Sequence, residues 1–185
     1  MHLGMKTIIF QRFDLASVSC ARRVVCQTEE LLRRGHSVWL TDYPHAERRE
    51  AIPELVNLSH LGATLIPLER RISGFPRNMG TLRRLQPRPD VIHLWKSYPD
   101  ASLPALLLSR QWKIPLHYDW DDWERGIAEE LTGSRAAGWI AGLWDRLMPK
   151  LGHTLTTASQ FLRAKALAWG AAEDRIWDAP VGADV

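Results

Sequence analysis

The segment Tyr118–Glu124, which reads YDWDDWE, carries the densest group of chemically useful side chains in the chain. Four carboxylates and two indoles alternate within it: Asp119, Trp120, Asp121, Asp122, Trp123 and Glu124. Carboxylates grouped where a strand ends can bind a metal, orient hydroxyl groups or act as a base. Sugar hydroxyls pair with carboxylates and sugar C–H faces stack on indoles, so the pattern favours a carbohydrate site. The alternative is an acidic turn that caps the next helix, with both indoles packed in the core.

A second polar group lies upstream, in the segment IHLWKSYPD that contains His93 and Lys96. Lys96 is suited to a phosphate or to plain solvation, and His93 to the cleft or to the core. Because grouped carboxylates repel one another, we expect Lys96 or His93 to lie beside Asp121 and Asp122. The seven histidines form no HxxxH or HxH pair, so we predict no zinc site and no other metal site.

The first loop, QRFDLASVSC, joins a predicted strand to a predicted helix and contains Asp14, Ser17 and Ser19. The amides at such a helix N-terminus can hold an anion. The chain has neither a GxGxxG nor a Walker A pattern, so a dinucleotide or ATP site has no support from motifs. The alternative is an ordinary connector in which Ser19 is the N-cap.

Short apolar runs and helical patterns alternate along the whole chain. Strands are predicted at Lys6–Phe10, Ser37–Thr41, Ala63–Leu68, Asp90–Leu94, Ile114–Tyr118, His153–Ala158 and Arg175–Ala179. Helices are predicted at Ser19–Arg34, Pro53–His60, Arg77–Gln86, Ala101–Arg110, Arg135–Lys150 and Phe161–Trp169, with Ser159 as the last N-cap. This alternation predicts a doubly wound, mostly parallel α/β sheet with helices on both faces. Ligands of such sheets bind beyond the carboxyl ends of the strands, where all three polar segments lie.

Length and composition predict one soluble domain. The chain has 185 residues, of which 45% are hydrophobic, and a net charge of +3. Its two cysteines, Cys20 and Cys26, share one predicted helix and are badly placed for a disulfide, which fits a reducing compartment. No run approaches the roughly 18 apolar residues that span a bilayer. We therefore expect a cytoplasmic protein, with peripheral contact at the inner membrane face as a further expectation.

The helix predicted at Arg135–Lys150 has apolar residues at helical spacing. They are Trp139, Ile140, Leu143, Trp144 and Leu147. Such a stripe predicts packing against the core. The alternative is an interfacial helix that docks on a membrane holding a lipid-linked acceptor.

Taken in order, several segments resemble the N-terminal domain of family-four retaining glycosyltransferases, the glycogen-synthase and mannosyltransferase-like enzymes of GT-B fold. The matching segments are LLRRGHSVWLTD, PDVIHLWKSYPDASLPALLLSR, KIPLHYDWDDWE and the closing passage that ends in Pro180, Gly182 and Asp184. In the family that closing turn leads into a second Rossmann-like domain with most nucleotide-sugar contacts. The resemblance therefore implies that residues 1–185 form the acceptor-side half, and that the donor-binding domain is supplied in cis or in trans.

The resemblance also implies the chemistry. The complete enzyme would transfer a hexose from a nucleotide sugar to a sugar or lipid-linked acceptor, as in the synthesis of cell-surface polysaccharides. It would need no cofactor, metal or nucleic acid, and the isolated half would be inactive. Asp121 aligns with a position where many relatives carry histidine, which implies a catalytic role for Asp121 and Asp122. The implied cleft residues are Asp14, Ser17, Ser19, His93, Lys96, Asp119 and Trp120.

One further departure and two alternatives accompany this interpretation. Many relatives have a glycine pair in the first loop, where this chain has Ser17–Cys20 and no glycine. The first alternative is a non-catalytic binding or scaffolding module, or one subunit of a split enzyme. The second is a small nucleotide-binding protein of flavodoxin or response-regulator type. It is weakened because Asp14 lies four residues beyond the first strand.

Overall fold

The computed structural model describes residues 4–15, 18–44 and 53–180 of the chain. Within these residues the strands are β1 Lys6–Phe10, β2 Ser37–Asp42, β3 Thr64–Pro67, β4 Val91–Trp95, β5 Leu116–Trp120, β6 Thr154–Thr157 and β7 Ile176–Asp178. The helices are α1 Val18–Arg33, α2 Pro53–His60, α3 Phe75–Arg83, α4 Pro99–Trp112, α5 Glu124–Thr132, α6 Arg135–Leu151 and α7 Gln160–Ala168. The parallel strands follow the order β3-β2-β1-β4-β5-β6-β7, which confirms the predicted doubly wound α/β class.

The chain divides into two compact units, Met1–Ile92 and His93–Val185. In the first unit, β1 pairs with β2 and β2 with β3, both in parallel. Side chains of β1 and β2 that are fully buried form its core, among them Ile8, Ile9, Phe10 and Leu40. Strand β3 lies at the edge of the sheet and ends at Pro67, which suits an edge because proline lacks the N–H that a central strand needs.

In the second unit, β5 pairs with β6 and β6 with β7, again in parallel. Strand β5 runs two residues further than predicted, to Trp120, so Asp119 and Trp120 belong to the strand and are fully buried. Helix α7 has the predicted N-cap, since the Ser159 hydroxyl accepts a hydrogen bond from the amide of Leu162 at 3.3 Å. The helix begins at Gln160, one residue before its predicted start. Helix α5, Glu124–Thr132, is not among the helices predicted from the sequence.

The apolar stripe predicts which face of helix α6 packs against the core, but the structure buries the opposite face. Trp139 is 65% exposed and Ile140 46%, while Gly138, Ala141 and Asp145 are buried. The reason is packing against α5: a Cβ at Gly138 would lie 3.0 Å from the Glu129 Cβ, so only small residues fit there. The expectation that the stripe packs against the core is therefore wrong for Trp139, Ile140, Leu143 and Leu147, all of which are exposed. The helix also continues through Pro149 to Leu151, one residue beyond its predicted end.

Two glycine-to-alanine changes test this packing. Gly80 lies in α3, and a Cβ there would meet no atom within 4 Å. Gly80→Ala should raise the free energy of unfolding by up to about 1 kcal/mol, because alanine favours helix over glycine. Gly138→Ala should instead lower it, because the added methyl also comes within 3.2 Å of the Arg125 carbonyl oxygen. Urea unfolding measures both, and equal stabilisation by the two changes would contradict the close α5–α6 contact.

Candidate functional site

Lys96 is the centre of the polar cluster that the structure builds in the second unit. The residue directly follows β4 and has a φ of 65°, a left-handed conformation that non-glycine residues seldom adopt. Its amide donates to the Asp119 carbonyl at 3.2 Å, and its side chain is almost entirely buried. A buried ammonium is costly without partners, so its surroundings determine whether this arrangement is stable.

Three carboxylates surround the Lys96 ammonium. The Nζ atom lies 2.5 Å from Asp122 Oδ2, 2.9 Å from Glu124 Oε1 and 3.4 Å from Asp121 Oδ1. Burial by itself would lower the pKa of Lys96. The charges of Glu124 and Asp121, with hydrogen bonds to Asp122 and Glu124, outweigh it and hold that pKa above its ordinary value. Lys96 is therefore a permanent cation that fixes the loop after β5.

The same three carboxylates are also close enough to one another to hold a metal ion, with ligand atoms within 4.8 Å. The Lys96 ammonium lies among them and already compensates their charge. A divalent cation would have to displace this ammonium or share the carboxylates with it. The cluster is thus better suited to an organic ligand than to a resident metal.

Asp121 is hydrogen-bonded through one oxygen and ion-paired through the other, which lies 3.4 Å from the Lys96 ammonium. Its Oδ2 accepts a hydrogen bond from the Trp95 indole N–H at 2.9 Å. Its Oδ1 is buried and has no hydrogen-bond partner among the described residues. Burial raises the pKa of Asp121 to about 6; the charge of Lys96 opposes the rise, and Asp122 and Asp119 add to it. This oxygen is ion-paired but accepts no hydrogen bond among the described residues, so it keeps acceptor capacity for a ligand hydroxyl.

Asp122 and Glu124 occupy contrasting positions beside Asp121. The Asp122 side chain is 48% exposed, whereas that of Glu124 is 1% exposed and has one oxygen, Oε2, without a hydrogen bond. Sequence reasoning assigned Glu124 only to the acidic segment and missed its contact with Lys96. The sequence offered no signal for this contact, because α5 is not predicted and Glu124 could not be placed in the first turn of a helix.

Asp145 extends the cluster into α6 and was missed entirely. Its Oδ1 accepts a hydrogen bond from the Ser97 hydroxyl at 2.5 Å, and its Oδ2 accepts one from the Arg125 amide at 3.1 Å. The residue is fully buried, and burial raises its pKa to about 7 against the effect of these two bonds. An aspartate within an otherwise apolar helical pattern was the available signal.

The other site residues predicted in the second unit, Asp119, His93 and Trp120, make their contacts within the protein interior. Asp119 accepts a hydrogen bond from the Thr156 hydroxyl at 2.7 Å, and His93 Nε2 lies 3.7 Å from its other oxygen. Trp120 stacks on Trp169 with ring centroids 5.6 Å apart. Asp119 and Trp120 lie on opposite faces of β5 and both are fully buried, so neither side chain is exposed toward a ligand as the sequence led us to expect. His93 contacts Asp119 rather than Asp121.

The first loop is described only in part. Asp14 is buried within the first unit. The Gln11 side chain ties the loop to β2 by donating to the Thr41 carbonyl at 2.6 Å. Ser17 lies outside the described residues. Helix α1 begins at Val18, so Ser19 belongs to its first turn and is not the predicted N-cap.

Comparison with known proteins decides the family. The model of the glycosyl transferase 4-like domain matches residues 20–182. The chain belongs to this family. A search of curated proteins found no match.

Solved structures agree in fold at low sequence identity. A glycosyltransferase from Rickettsia africae superposes with a TM-score of 0.61 at 12% identity, covering 98% of this chain and 44% of that one. The calicheamicin glycosyltransferase CalG4 gives 0.52 at 12%, covering 97% and 53%. A UDP-N-acetylglucosamine 2-epimerase from Rickettsia bellii gives 0.57 at 10%, covering 96% and 44%. The chain thus spans about half the length of these proteins, and GT-B glycosyltransferases share its fold.

The buried carboxyl of Asp145 makes a prediction about stability and pH. Its pKa in the folded state, about 7, exceeds the ordinary value, so the folded state binds this proton more tightly. The resulting stabilisation is complete below about pH 4 and is lost as pH rises through about 7. Asp145→Asn, which cannot ionise, should therefore gain on the parent as pH rises from 5 to 8, by roughly 1–3 kcal/mol in the free energy of unfolding.

Urea unfolding across this pH range measures the effect, with the exposed Asp174→Asn as the control. Asparagine can keep both bonds, with its oxygen toward the Arg125 amide and its amide toward Ser97. A variant that is less stable than the parent at pH 8 would show that the ionised carboxylate is the stabilising form.

Proposed function

We propose that this chain is the acceptor-side half of a retaining GT-B hexosyltransferase. In this proposal the donor is a nucleotide sugar, and the acceptor is a sugar or a lipid-linked sugar. A second, donor-binding GT-B domain acts with it in cis or in trans. The family match and the fold support glycosyl transfer. The observation that carries the site assignment is Asp121 Oδ1, which follows β5, faces the Lys96 ammonium and accepts no hydrogen bond among the described residues.

Asp121 would orient a hydroxyl of the transferred hexose or of the acceptor. An ionised carboxylate accepts such a hydrogen bond more strongly than a neutral carboxyl group does, and the adjacent Lys96 favours the ionised form. Asp122, the most exposed carboxylate of the cluster, would contact a second hydroxyl or the solvent side of the acceptor. The transition state resembles an oxocarbenium ion, so the protein contributes chiefly positioning and electrostatic stabilisation. This role requires neither a cofactor nor a metal.

A lipid-linked acceptor and a cytoplasmic, membrane-peripheral location belong to the same proposal. Among the described residues, no helix is long and apolar enough to cross a bilayer. The exposed face of α6 carries Trp139, Ile140 and Leu143, and its exposed cations include Arg146 and Lys150. The only acidic residue of α6, Asp145, is buried. This combination of apolar and basic side chains is complementary to an anionic bilayer surface.

Replacement of the two loop aspartates tests the site assignment. In the complete enzyme, with the second domain supplied in cis or in trans, Asp121→Asn should lower turnover by roughly a hundredfold or more. The amide can still accept the Trp95 hydrogen bond, so the fold should be retained. Steady-state turnover with the cognate donor is the measurement, and Asp174→Asn is the exposed control. If Asp121→Asn and Asp122→Asn both keep full turnover, the cluster is a structural cap and the assignment is wrong.

The proposal assigns acceptor binding to this chain and donor binding to the second domain, which gives a separate prediction. Residues 1–185 alone should bind UDP- and GDP-sugars very weakly and transfer nothing, because the proposal assigns most donor contacts to the second domain. Calorimetric titration with a panel of nucleotide sugars measures this. A sub-micromolar dissociation constant for any of them would contradict the assignment of donor binding to the other half.

A further inference from the structure

A pocket of about 300 Å³ lies in the second unit, on the outer side of the loop that follows β5. Residues of the loop, of α5, α6 and α7 and of the turn after α7 line it, and none is acidic. The lining is Trp123, Arg125, Trp139, Gly142, Leu143, Arg146, Lys165 and Trp169. None of these residues belongs to the predicted site, and Trp123 alone comes from the segment that the sequence singled out.

Three cations converge on this pocket without carboxylate partners. Arg125, Arg146 and Lys165 form no salt bridge with any residue in the described part of the chain, although several other surface cations do. Like charges gathered at one place repel one another unless an anion compensates them. The pocket therefore carries a local excess of positive charge that a bound anion would compensate.

Aromatic packing fixes one of these cations at the pocket. The Lys165 ammonium lies 4.5 Å from the ring centroid of Trp123, 4.7 Å from that of Phe161 and 5.3 Å from that of Trp169. Phe161 and Trp123 are themselves in edge contact, with centroids 5.8 Å apart. Cation–π attraction restrains the ammonium yet leaves its N–H donors free of any carboxylate. Such a preorganised donor loses little entropy when an anion binds.

Gly142 allows Arg125 to reach the pocket. A Cβ at position 142 would lie 2.9 Å from Arg125 Cδ and 3.3 Å from its Cγ. The guanidinium stem thus runs across α6 where any larger residue would displace it. Planar guanidinium groups bind phosphate oxygens in pairs, and two of the three cations here are arginines.

The indoles define the rest of the ligand. Trp123 and Trp139 are 38% and 65% exposed, so both offer ring surface to solvent. Such surfaces stack on the C–H face of a sugar or polyol ring. Small-molecule sites range from about 300 to 1,000 Å³, so this volume suits one ring and one phosphate better than a nucleotide sugar.

We infer that this pocket binds the phosphate ester of a sugar or polyol ring. Arg125, Arg146 and Lys165 would bind the phosphate, while Trp123 and Trp139 would stack on the ring. The ester is either a free sugar phosphate or the headgroup of a lipid, the same chemistry in both cases. The inference does not depend on the proposed glycosyl transfer, because it concerns binding by residues outside the Asp121 cluster.

Titration of the 185-residue chain with glucose 1-phosphate tests the inference. We expect saturable shifts of the indole N–H signals of Trp123, Trp139 and Trp169 in nitrogen-15 spectra. Glucose and inorganic phosphate, each lacking one half of the ligand, should bind at least tenfold more weakly. Arg146→Gln and Lys165→Gln should each weaken glucose 1-phosphate binding by roughly tenfold or more, the effect of losing a charged hydrogen bond. Arg135→Gln, an exposed α6 cation outside the pocket, should change it less than about twofold.

A vesicle arm distinguishes the two sources of the phosphate ester. If the ester is lipid-borne, vesicles containing phosphatidylinositol should bind the chain more strongly than charge-matched phosphatidylglycerol vesicles, and Arg146→Gln should abolish the difference. The inference is overturned if glucose 1-phosphate gives no saturable shift and the two vesicle types bind equally. It is also overturned if Arg135→Gln weakens binding as much as Arg146→Gln does.

Discussion

The ion-paired ammonium of Lys96 is the interaction on which the second unit's functional surface depends. Its side chain is buried together with Glu124 and most of Asp121, in a place where unpaired charges would be strongly destabilising. Removing Lys96 would leave three neighbouring carboxylates without their shared cation, so this ammonium restrains the path of the loop after β5. The left-handed backbone at Lys96 contributes to the same constraint, because it directs the side chain back over that loop.

This constraint gives the loop two surfaces of different character. Asp121 and Glu124 point toward Lys96, whereas Trp123 and Arg125 line the outer pocket. Asp145 connects the two, since its carboxylate accepts the Arg125 amide on one oxygen and the Ser97 hydroxyl on the other. A ligand that shifts the backbone of Arg125 would therefore also alter the environment of the buried Asp145 carboxyl group.

Much of the fold could be predicted because its determinants are local. Apolar runs located every strand, helix α2 matches its predicted bounds, and the Ser159 cap marked the start of α7. The exposed face of α6 could not be predicted, because hydrophobic periodicity records which residues share a face and not which face meets the core. Here the small residues Gly138 and Ala141, not the large ones, determine the packing.

The candidate site was only partly predictable for a related reason. Lys96 follows β4, while Asp121 and Asp122 follow the neighbouring strand β5. The carboxyl ends of adjacent parallel strands lie side by side, so these residues could be predicted to come together. Glu124 and Asp145 join the cluster through helices, whose rotation about their own axes depends on tertiary packing. Trp120 was assigned to the cleft because β5 was predicted to end two residues too early, which placed a core residue in a loop.

The pKa of the Asp121 carboxyl is the most direct test of the account. Carbon-13 spectra of the aspartate carboxyl carbons, recorded across a pH titration, report this value in the parent chain and in Lys96→Met. The account predicts titration near pH 6 in the parent and a clearly higher value in the variant, because burial then acts without the opposing ammonium. An ordinary value near 4 in both proteins would show that Asp121 is solvated and independent of Lys96, which would contradict the central claim.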